Sequence, residues 1–393
     1  MKIKVAVFFG GKSVEHEVSV ISAIQAMCSI NENKYEVLPI YMVKSGGEFY
    51  TGDLMREVKS FTDIPALLKK SRKVNFVRDG GRVYMVDAFP STFGKKTRVE
   101  IDVAFPIVHG TNVEDGTLTG YLKFLGLPCV GCSVLSSAVG MDKYVSKVIL
   151  RDAGIPVLDC MYLSKKDYDD AEKLADRIEA ELGYPVIVKP VNLGSSVGIS
   201  KAADREKLLS SLELAFNFAD RIIIEHAITK LREINCAVIG DAYDNMASEC
   251  EEPLNAGEIL SYEDKYIDGS KGGSKSSGMA SLKRKIPADL TAERREEIRE
   301  LACRAFSALG CSGVSRIDFM IDGETDNLYL NEINTIPGSL AFYLFEPIGI
   351  KYPELLERMI SIALKSARDE EEIPYSFDSN ILSMNGGKFR GKK

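Results

Sequence analysis

Short apolar runs alternate with stretches of helical periodicity in the first part of the chain. The pattern predicts a buried strand at residues 3–9, a helix at 14–30 and further strands at 35–41 and 101–108. The Lys-rich, Gly-containing stretch before residue 101 is predicted to be irregular. Strands that alternate with helices indicate a parallel sheet, whose chemistry lies at the carboxyl ends of its strands.

A second unit begins in the middle of the chain, and a third follows it. Apolar spacing predicts one helix at 136–153, ended by Gly154 and Pro156, and Glu225 is the predicted boundary to a third unit of α+β type. The expected strands are 184–189, 222–225, 234–239, 313–321 and 328–333, with a helix at about 292–309.

Composition narrows the class of protein. The chain has 393 residues, of which 45% are hydrophobic and 27% charged, as in ordinary globular proteins with two or three domains. A net charge of −7 argues against a nucleic-acid partner and favours a small-molecule substrate. No apolar run approaches a signal-peptide core or a membrane span, so we expect a cytoplasmic protein without a membrane partner.

Two motifs suggest sites that their surroundings do not support. The GGKS motif at residues 10–13 ends like a P-loop, but Ala6 stands where that loop needs a glycine. A turn from strand to helix is therefore favoured. Cys129 and Cys132 have the spacing of a zinc or redox pair, yet they lack a second pair and a nearby histidine, which favours structural thiols.

Strand alternation indicates a metal site in the third unit. Residues two apart share one face of a strand, so Arg316 lies beside Asp318, and Glu332 beside Asn334. If these strands are neighbours, two carboxylates and a carboxamide converge, and such hard oxygen ligands suit Mg²⁺. A surface ladder of charge pairs is the alternative.

A second polar stretch follows the predicted strand 184–189. Lys189 precedes the sequence PVNLGSSVG, whose amides and hydroxyls can receive a phosphate, although a plain turn is the alternative. A phosphate loop in one unit and a Mg²⁺ site in the next together predict ATP bound between them.

Several segments, taken in order, resemble D-alanine–D-alanine ligases of the ATP-grasp superfamily. They are GGKSVEHEVS, HGTNVEDGTLTGYL, MDKYVSK, VKPVNLGSSVGISK, YEDKY, GVSRIDF and NEINTIPG. The resemblance implies α/β and α+β structure in a three-domain ATP-grasp architecture, with an N-terminal parallel-sheet (pre-ATP-grasp) domain. The implied domains are residues 1–135, 136–224 and 225–368 with a mobile loop at 262–287, followed by a flexible tail at 369–393.

The resemblance also implies site residues. The implied catalytic residues are Glu15, Ser195, Tyr266 and Arg316, and the implied amino-acid contacts are His109, Gly338, Tyr343 and Leu344. The implied ATP-binding residues are Lys143, Lys189, Ser196, Glu225, Glu233 and Lys265. Asp318, Glu332 and Asn334 are the implied ligands of two Mg²⁺ ions, with Mn²⁺ as a substitute.

The reaction implied by the family joins two D-alanines for peptidoglycan synthesis. ATP phosphorylates the carboxylate of the first D-alanine, and the amine of the second attacks the acyl phosphate. Because acyl phosphates hydrolyse, a lid must exclude water, and the loop after Tyr266 is the candidate. The family further implies a homodimer.

One position departs from the family pattern. Tyr343 stands where the family carries a serine that binds the second substrate, so D-serine, D-lactate or another amino acid is an alternative to D-alanine. The loop also carries five lysines, at 265, 271, 275, 283 and 285, which either receive an acidic group or only solvate the loop. A non-catalytic nucleotide-binding protein is a weaker alternative, because it predicts the loss of metal ligands, which this sequence retains. An NAD-type oxidoreductase is also weaker, because it needs a GxGxxG motif, which the Gly10-Gly11 stretch does not match.

Overall fold

The computed structural model describes residues 2–89, 98–194, 196–254 and 284–374. Its strands form three sheets of seven, four and five strands. The first contains β1 Ile3–Gly10, β2 Tyr35–Met42, β3 Phe49–Thr51, β4 Arg72–Asp79, β5 Arg82–Asp87, β6 Arg98–Ile101 and β7 Val103–Pro106. The second contains β8 Cys160–Ser164, β9 Val186–Pro190, β10 Ser200–Ala202 and β11 Arg221–His226. The third contains β12 Leu231–Gly240, β13 Asn245–Pro253, β14 Arg284–Lys285, β15 Gly313–Asp322 and β16 Leu328–Asn334.

The helices pack on the faces of these sheets. They are α1 His16–Ser29, α2 Ile64–Lys69, α3 Thr117–Leu125, α4 Val134–Met141, α5 Lys143–Asp152, α6 Ala171–Glu181, α7 Arg205–Phe218, α8 Ala292–Ala308, α9 Phe342–Phe345 and α10 Tyr352–Glu371. Within the described ranges, no helix is long and apolar enough to cross a membrane.

The first sheet combines a parallel centre with an antiparallel extension. Its order is β6-β5-β4-β3-β2-β1-β7, and β1 lies parallel to both β2 and β7. The predicted strand-helix-strand pattern is therefore confirmed. The prediction of an irregular stretch before residue 101 is wrong, because β4 and β5 form a hairpin around Gly80 and Gly81, which have φ of 58° and 79°. A Gly-Gly pair supplies the positive φ that a tight hairpin turn requires.

The predicted helix at 136–153 is in fact two helices. Asp142 interrupts it with extended backbone, φ −90° and ψ 102°, and its carboxylate accepts hydrogen bonds from the amides of Tyr144 and Val145 at 3.1 and 3.0 Å. The side chain thus caps the start of α5, where amides have no partner within the helix. As a consequence, Lys143 becomes the first residue of α5.

The second and third sheets are antiparallel throughout. Their orders are β10-β9-β11-β8 and β14-β13-β12-β15-β16. Glu225 lies inside β11, and the chain passes to the third sheet at residues 227–230, slightly later than the predicted boundary. The boundaries of the domains stay a prediction.

The hydrophobic cores show how the units are joined. The second sheet and helices α6 and α7 enclose a core of their own. One continuous core instead joins the first and third units, since Val5 and Phe9 of β1 belong to the same cluster as Val314 of β15 and Leu355 of α10. The N-terminal and C-terminal units therefore support each other directly.

Candidate active site

A cleft of about 680 Å³ lies where the three units meet. The carboxyl ends of the parallel strands β1 and β7 lead into its wall through Glu15 and His109. The second unit contributes Lys143 and Lys189, and the third contributes Arg316 among others. Every unit therefore supplies side chains to one cleft, as the parallel-sheet pattern predicts for the first.

The polar residues of β15 and β16 face each other within the cleft. Asp318 lies opposite Glu332, and Arg316 opposite Asn334. The Arg316 guanidinium donates two hydrogen bonds of 2.7 Å to the two oxygens of Asp318, and Asn334 Nδ2 donates to Asp318 Oδ2 at 3.0 Å. The structure thus brings together the four residues that strand alternation placed on one face.

The donor set fits a small hard cation. Among the described residues, no group of three or more His, Cys, Asp or Glu side chains is placed to hold a metal ion. A cation bound by Asp318, Glu332 and Asn334 would have two carboxylates and one amide oxygen as protein ligands. Mg²⁺ suits such a site, because it keeps several waters and shares the remaining positions with phosphate oxygens.

Buried lysines border the other end of the cleft. Lys189 Nζ lies 2.6 Å from Glu225 Oε2 and 3.2 Å from Asn331 Oδ1, while Lys147 Nζ lies 2.6 Å from Glu225 Oε1. Burial acts to raise the pKa of Glu225, but the charges of Lys189 and Lys147 outweigh it, so the pKa lies below its ordinary value. Two cations therefore share one carboxylate, so this group of three side chains carries one excess positive charge.

Lys147 is a residue that sequence reasoning missed. It lies four positions after Lys143 on α5, so the spacing in MDKYVSK could have placed both side chains on one helix face. Glu225, by contrast, is only 1% exposed, and the residues that line the cleft do not include it. Its carboxylate pairs with Lys189, which lines the cleft, and with Lys147, which does not.

Lys143 reaches across the cleft to the third unit. Its Nζ donates to the carbonyl of Leu193 at 2.9 Å and lies 3.2 Å from Glu332 Oε2. Glu233 and Ser196 also line the cleft, as expected of nucleotide contacts. Ser195, Lys265, Tyr266 and almost all of the predicted loop lie outside the described residues.

Glu15 lies against the glycine loop that follows β9. A Cβ atom built on Gly194 would be 3.1 Å from Glu15 Oε2, closer than most side-chain contacts. The absence of a side chain at residue 194 therefore lets the N-terminal unit approach the loop. Glu15 thus lies at the cleft beside this loop, where the resemblance implies a catalytic residue.

Tyr343 is part of a buried polar cluster. Its hydroxyl donates to Glu251 Oε1 at 3.3 Å, and the Arg284 guanidinium carbon lies 4.1 Å from the centre of its ring. Arg284 Nη1 in turn donates to Glu251 Oε2 at 2.8 Å. Glu251 and Arg284 were not predicted from the sequence, since they lie on β13 and β14, whose pairing is tertiary.

Leu344 does not take the predicted place at the substrate. It is fully buried within the core that joins the first and third units. The short helix α9 turns Tyr343 toward the cleft and Leu344 into the core, because adjacent residues of a helix point in different directions.

Comparison with known proteins agrees with this arrangement. A family model described as "D-ala D-ala ligase N-terminus" matches residues 4–132, and one described as "D-ala D-ala ligase C-terminus" matches residues 149–361. The chain belongs to the D-alanine–D-alanine ligase family. The family resemblance and the ATP-grasp fold predicted from the sequence are therefore confirmed.

Individual relatives match over almost their whole length. A D-alanine–D-alanine ligase from Caldicellulosiruptor bescii is 42% identical and covers 95% of this chain and 99% of its own. The structure of the D-alanine-D-alanine ligase from Coxiella burnetii superposes with a TM-score of 0.77 at 29% identity, covering 94% of this chain and 96% of that one. The VanG D-Ala:D-Ser ligase from Enterococcus faecalis gives 0.75 at 31% identity, covering 92% and 100%.

Proposed function

We propose that this protein joins two D-alanines to D-alanyl-D-alanine and uses one ATP for each bond, in support of peptidoglycan synthesis. One observation carries the proposal. A single cleft contains buried lysines at one end, a carboxylate and amide set in the middle and the Arg316 guanidinium beside it. Phosphorylation of a carboxylate followed by attack of an amine needs these groups together, because negative charge develops first at the phosphoryl group and then at the oxygen of the attacked carbonyl.

Each part of the cleft has a role in this reaction. Lys143 and Lys189 bind the phosphates of ATP as fixed positive charges, and their pairing to Glu332 and Glu225 holds them in place. Arg316 stabilises the oxyanion that forms when the second amine attacks the acyl phosphate. Glu15, Ser195 and Tyr266 orient the first D-alanine, and Glu233, Ser196 and Lys265 contact the nucleotide.

We propose that Asp318, Glu332 and Asn334 hold Mg²⁺, with Mn²⁺ as a substitute. The bound ions would neutralise phosphate charge during transfer. Arg316 and Asn334 donate to both oxygens of Asp318. These bonds orient the Asp318 carboxylate and pair its buried charge.

The second substrate is D-alanine in the proposal, with D-serine as the next candidate. The cluster of Tyr343, Glu251 and Arg284 supports D-serine as the alternative. It places polar groups at the position where the family pattern has a serine. The likeness to a D-Ala:D-Ser ligase supports the same alternative. D-Lactate ranks below both, since Tyr266 in the loop favours an amine nucleophile.

We also propose that the three sheets mark three domains, at about residues 1–135, 136–224 and 225–368, and that the protein is a homodimer. The three separate sheets support the domain division. Light scattering on the purified protein measures the oligomeric state, and a monomer mass would contradict the dimer.

Phosphate release tests the proposed function. Purified protein with ATP, Mg²⁺ and D-alanine should release ADP and phosphate and form the dipeptide, which mass spectrometry identifies. A panel of second substrates, with D-alanine held constant, should include D-serine and D-lactate. Turnover with a mixture but none with D-alanine alone would contradict D-alanyl-D-alanine as the product, and no turnover with any member would contradict the ligase reaction.

A further inference from the structure

The chain adopts a strained turn directly after Gly338. Ser339, Leu340 and Ala341 have φ of 51°, 53° and 50°, so three successive residues with side chains occupy the left-handed region. All three are buried. Left-handed backbone is unfavourable for L-residues, and it persists only where the surrounding structure determines it.

Helix α1 of the N-terminal unit holds this turn from one side. Ser22 Oγ accepts a hydrogen bond from the amide of Ser339 at 3.0 Å, and Gln25 Oε1 accepts from the Ser339 hydroxyl at 2.7 Å. These partners are more than 300 positions apart in the chain, with separations of 317 and 314 residues. The conformation of the turn therefore depends on the contact between the first and third units.

His109 holds the residues just before the turn. Its Nδ1 donates to the carbonyl of Ile336 at 2.8 Å, and its Nε2 lies 3.3 Å from Ser22 Oγ. The carbonyl can only accept, so Nδ1 carries the proton and Nε2 accepts from the Ser22 hydroxyl. Burial lowers the pKa of His109, which agrees with the neutral ring that this network requires.

Glu114 completes the contact between the units. Its Oε1 accepts from the amide of Ile336 at 3.0 Å and from the Thr335 hydroxyl at 3.2 Å, while its Oε2 accepts from the amide of Gly110 at 3.0 Å. One carboxylate thus joins a loop of the N-terminal unit to the segment that leads into Gly338. Oε1 accepts from both donors of the third unit, and Oε2 accepts from the donor of the N-terminal unit.

The neighbouring acid makes a different set of contacts. Asp115 accepts from the amides of Asn112 and Thr117 at 2.9 and 3.0 Å, and both bonds remain within the N-terminal unit. The two adjacent carboxylates therefore have different partners. Asp115 bonds to its own loop, whereas Glu114 also bonds to residues 335–336 of the third unit. This difference supplies a matched control.

We propose that Glu114 is a positioning residue for the second amino acid, because it fixes residues 335–338 against the N-terminal unit and so places the backbone of Gly338 in the cleft. The inference rests on the proposed ligase function for its kinetic consequence. Its structural part, that Glu114 fixes residues 335–336 just before the strained turn, stands without that function. Removal of the carboxylate leaves the Ile336 amide without its partner, and the adjoining left-handed turn loses part of its support.

The test compares Glu114→Ala, Glu114→Gln and Asp115→Asn in the full chain. Hydrogen exchange followed by mass spectrometry on peptides that cover residues 335–341 should show at least a tenfold faster exchange in Glu114→Ala. The apparent KM for D-alanine should rise about tenfold, whereas the KM for ATP stays within twofold. Glu114→Gln keeps one oxygen to accept from Ile336 and should recover most of both changes, and Asp115→Asn should behave like the unaltered protein.

Three results would overturn the proposal. The first is unchanged exchange at 335–341 in Glu114→Ala. The second is an ATP KM that rises in parallel with the D-alanine KM, since that indicates general damage. The third is an Asp115→Asn variant with the same defects. If the unaltered protein shows no ligase activity, the proposed function fails, while the exchange measurement still decides whether Glu114 holds the turn.

Discussion

The two ends of the cleft are built from different kinds of interaction. At the end where we propose that the nucleotide binds (the nucleotide end), charged side chains pair with one another, as Lys189 and Lys147 do with Glu225. At the end where we propose that the amino acids bind (the amino-acid end), backbone amides and carbonyls bond to Glu114, His109 and Ser22. The first arrangement fixes the positions of charges, and the second fixes the backbone around a turn. Short sequence motifs can place charged side chains, whereas the shape of the backbone around this turn depends on contacts between distant units.

The largest expected effect comes from removing a charge at the nucleotide end. Lys189→Met deletes a cation that we propose binds the phosphates of ATP, so we expect kcat/KM to fall by about 10² to 10³, as for other fixed electrostatic groups. Glu225 keeps Lys147 as a partner, so folding should survive. Phosphate release measures the change, and a loss below tenfold would show that Lys189 is not at the phosphates.

A pH experiment examines the amino-acid end. Burial and the nearby Glu15 raise the pKa of Glu114 to about 7, although hydrogen bonds from Gly110, Ile336 and Thr335 act in the opposite direction. Between its ordinary value and about pH 7, the folded state therefore binds more protons than the unfolded state. The contribution of Glu114 to the free energy of unfolding is thus present at low pH and falls as pH rises through this window.

The measurement compares the unaltered protein with Glu114→Gln. The difference between their free energies of unfolding should decline by about 2 kcal/mol from pH 5 to pH 8, because the glutamine does not titrate. His109 and Glu15 are present in both proteins, so their titration largely cancels. Urea unfolding at each pH gives the energies, and a difference that stays constant with pH would contradict the prediction.

An intermediate effect is expected from Lys147, which pairs with Glu225 but does not line the cleft. Lys147→Met leaves Glu225 to Lys189 alone, which draws the Lys189 charge further toward Glu225 and away from phosphate. We expect about a tenfold rise in the KM for ATP and little change in the KM for D-alanine, an effect of roughly 1.4 kcal/mol. An equal rise in both constants would mean that the nucleotide and amino-acid ends are not separable in this way.

The smallest expected effect concerns the Tyr343 hydroxyl. Its hydrogen bond to Glu251 is long, at 3.3 Å, and Glu251 keeps Asn235 and Arg284 as donors. Tyr343→Phe retains the ring under Arg284, so D-alanine turnover should change less than threefold. A change in the ratio of D-serine to D-alanine use would show that the hydroxyl selects the second substrate. Tyr343→Phe is preferred to Tyr343→Ser for this test, because the serine variant changes the volume of the pocket as well.

Part of the site could be predicted from local patterns. Arg316, Asp318, Glu332 and Asn334 follow from strand alternation, because the period of a strand fixes which side chains share a face. Lys147 was within reach of the same kind of reasoning on a helix. The break at Asp142 also carried a local signal, since an aspartate often caps a helix, but the apolar spacing on both sides concealed it.

Other parts had no local signal. Glu114 meets Ile336 across 222 positions of sequence, and Glu251 meets Tyr343 across 92. A single sequence does not give the side chains that distant strands and loops bring together. The burial of Leu344 likewise had no local signal. Packing of the core decides which side of α9 faces inward.

Local sequence patterns were enough to identify the family of this protein and its candidate metal ligands. The order of its motifs placed it in the D-alanine–D-alanine ligase family, and strand periodicity placed the carboxylates and arginine on one face. The backbone at the amino-acid end is instead shaped by contacts that appear only in the folded chain. There, Ser22 and Gln25 bond to a left-handed turn at residues 339–341, and His109 and Glu114 bond to residues 335–336 just before it, although all four lie far away in the chain. Periodicity is a property of neighbouring residues, whereas a strained turn is stable only through the contacts that surround it.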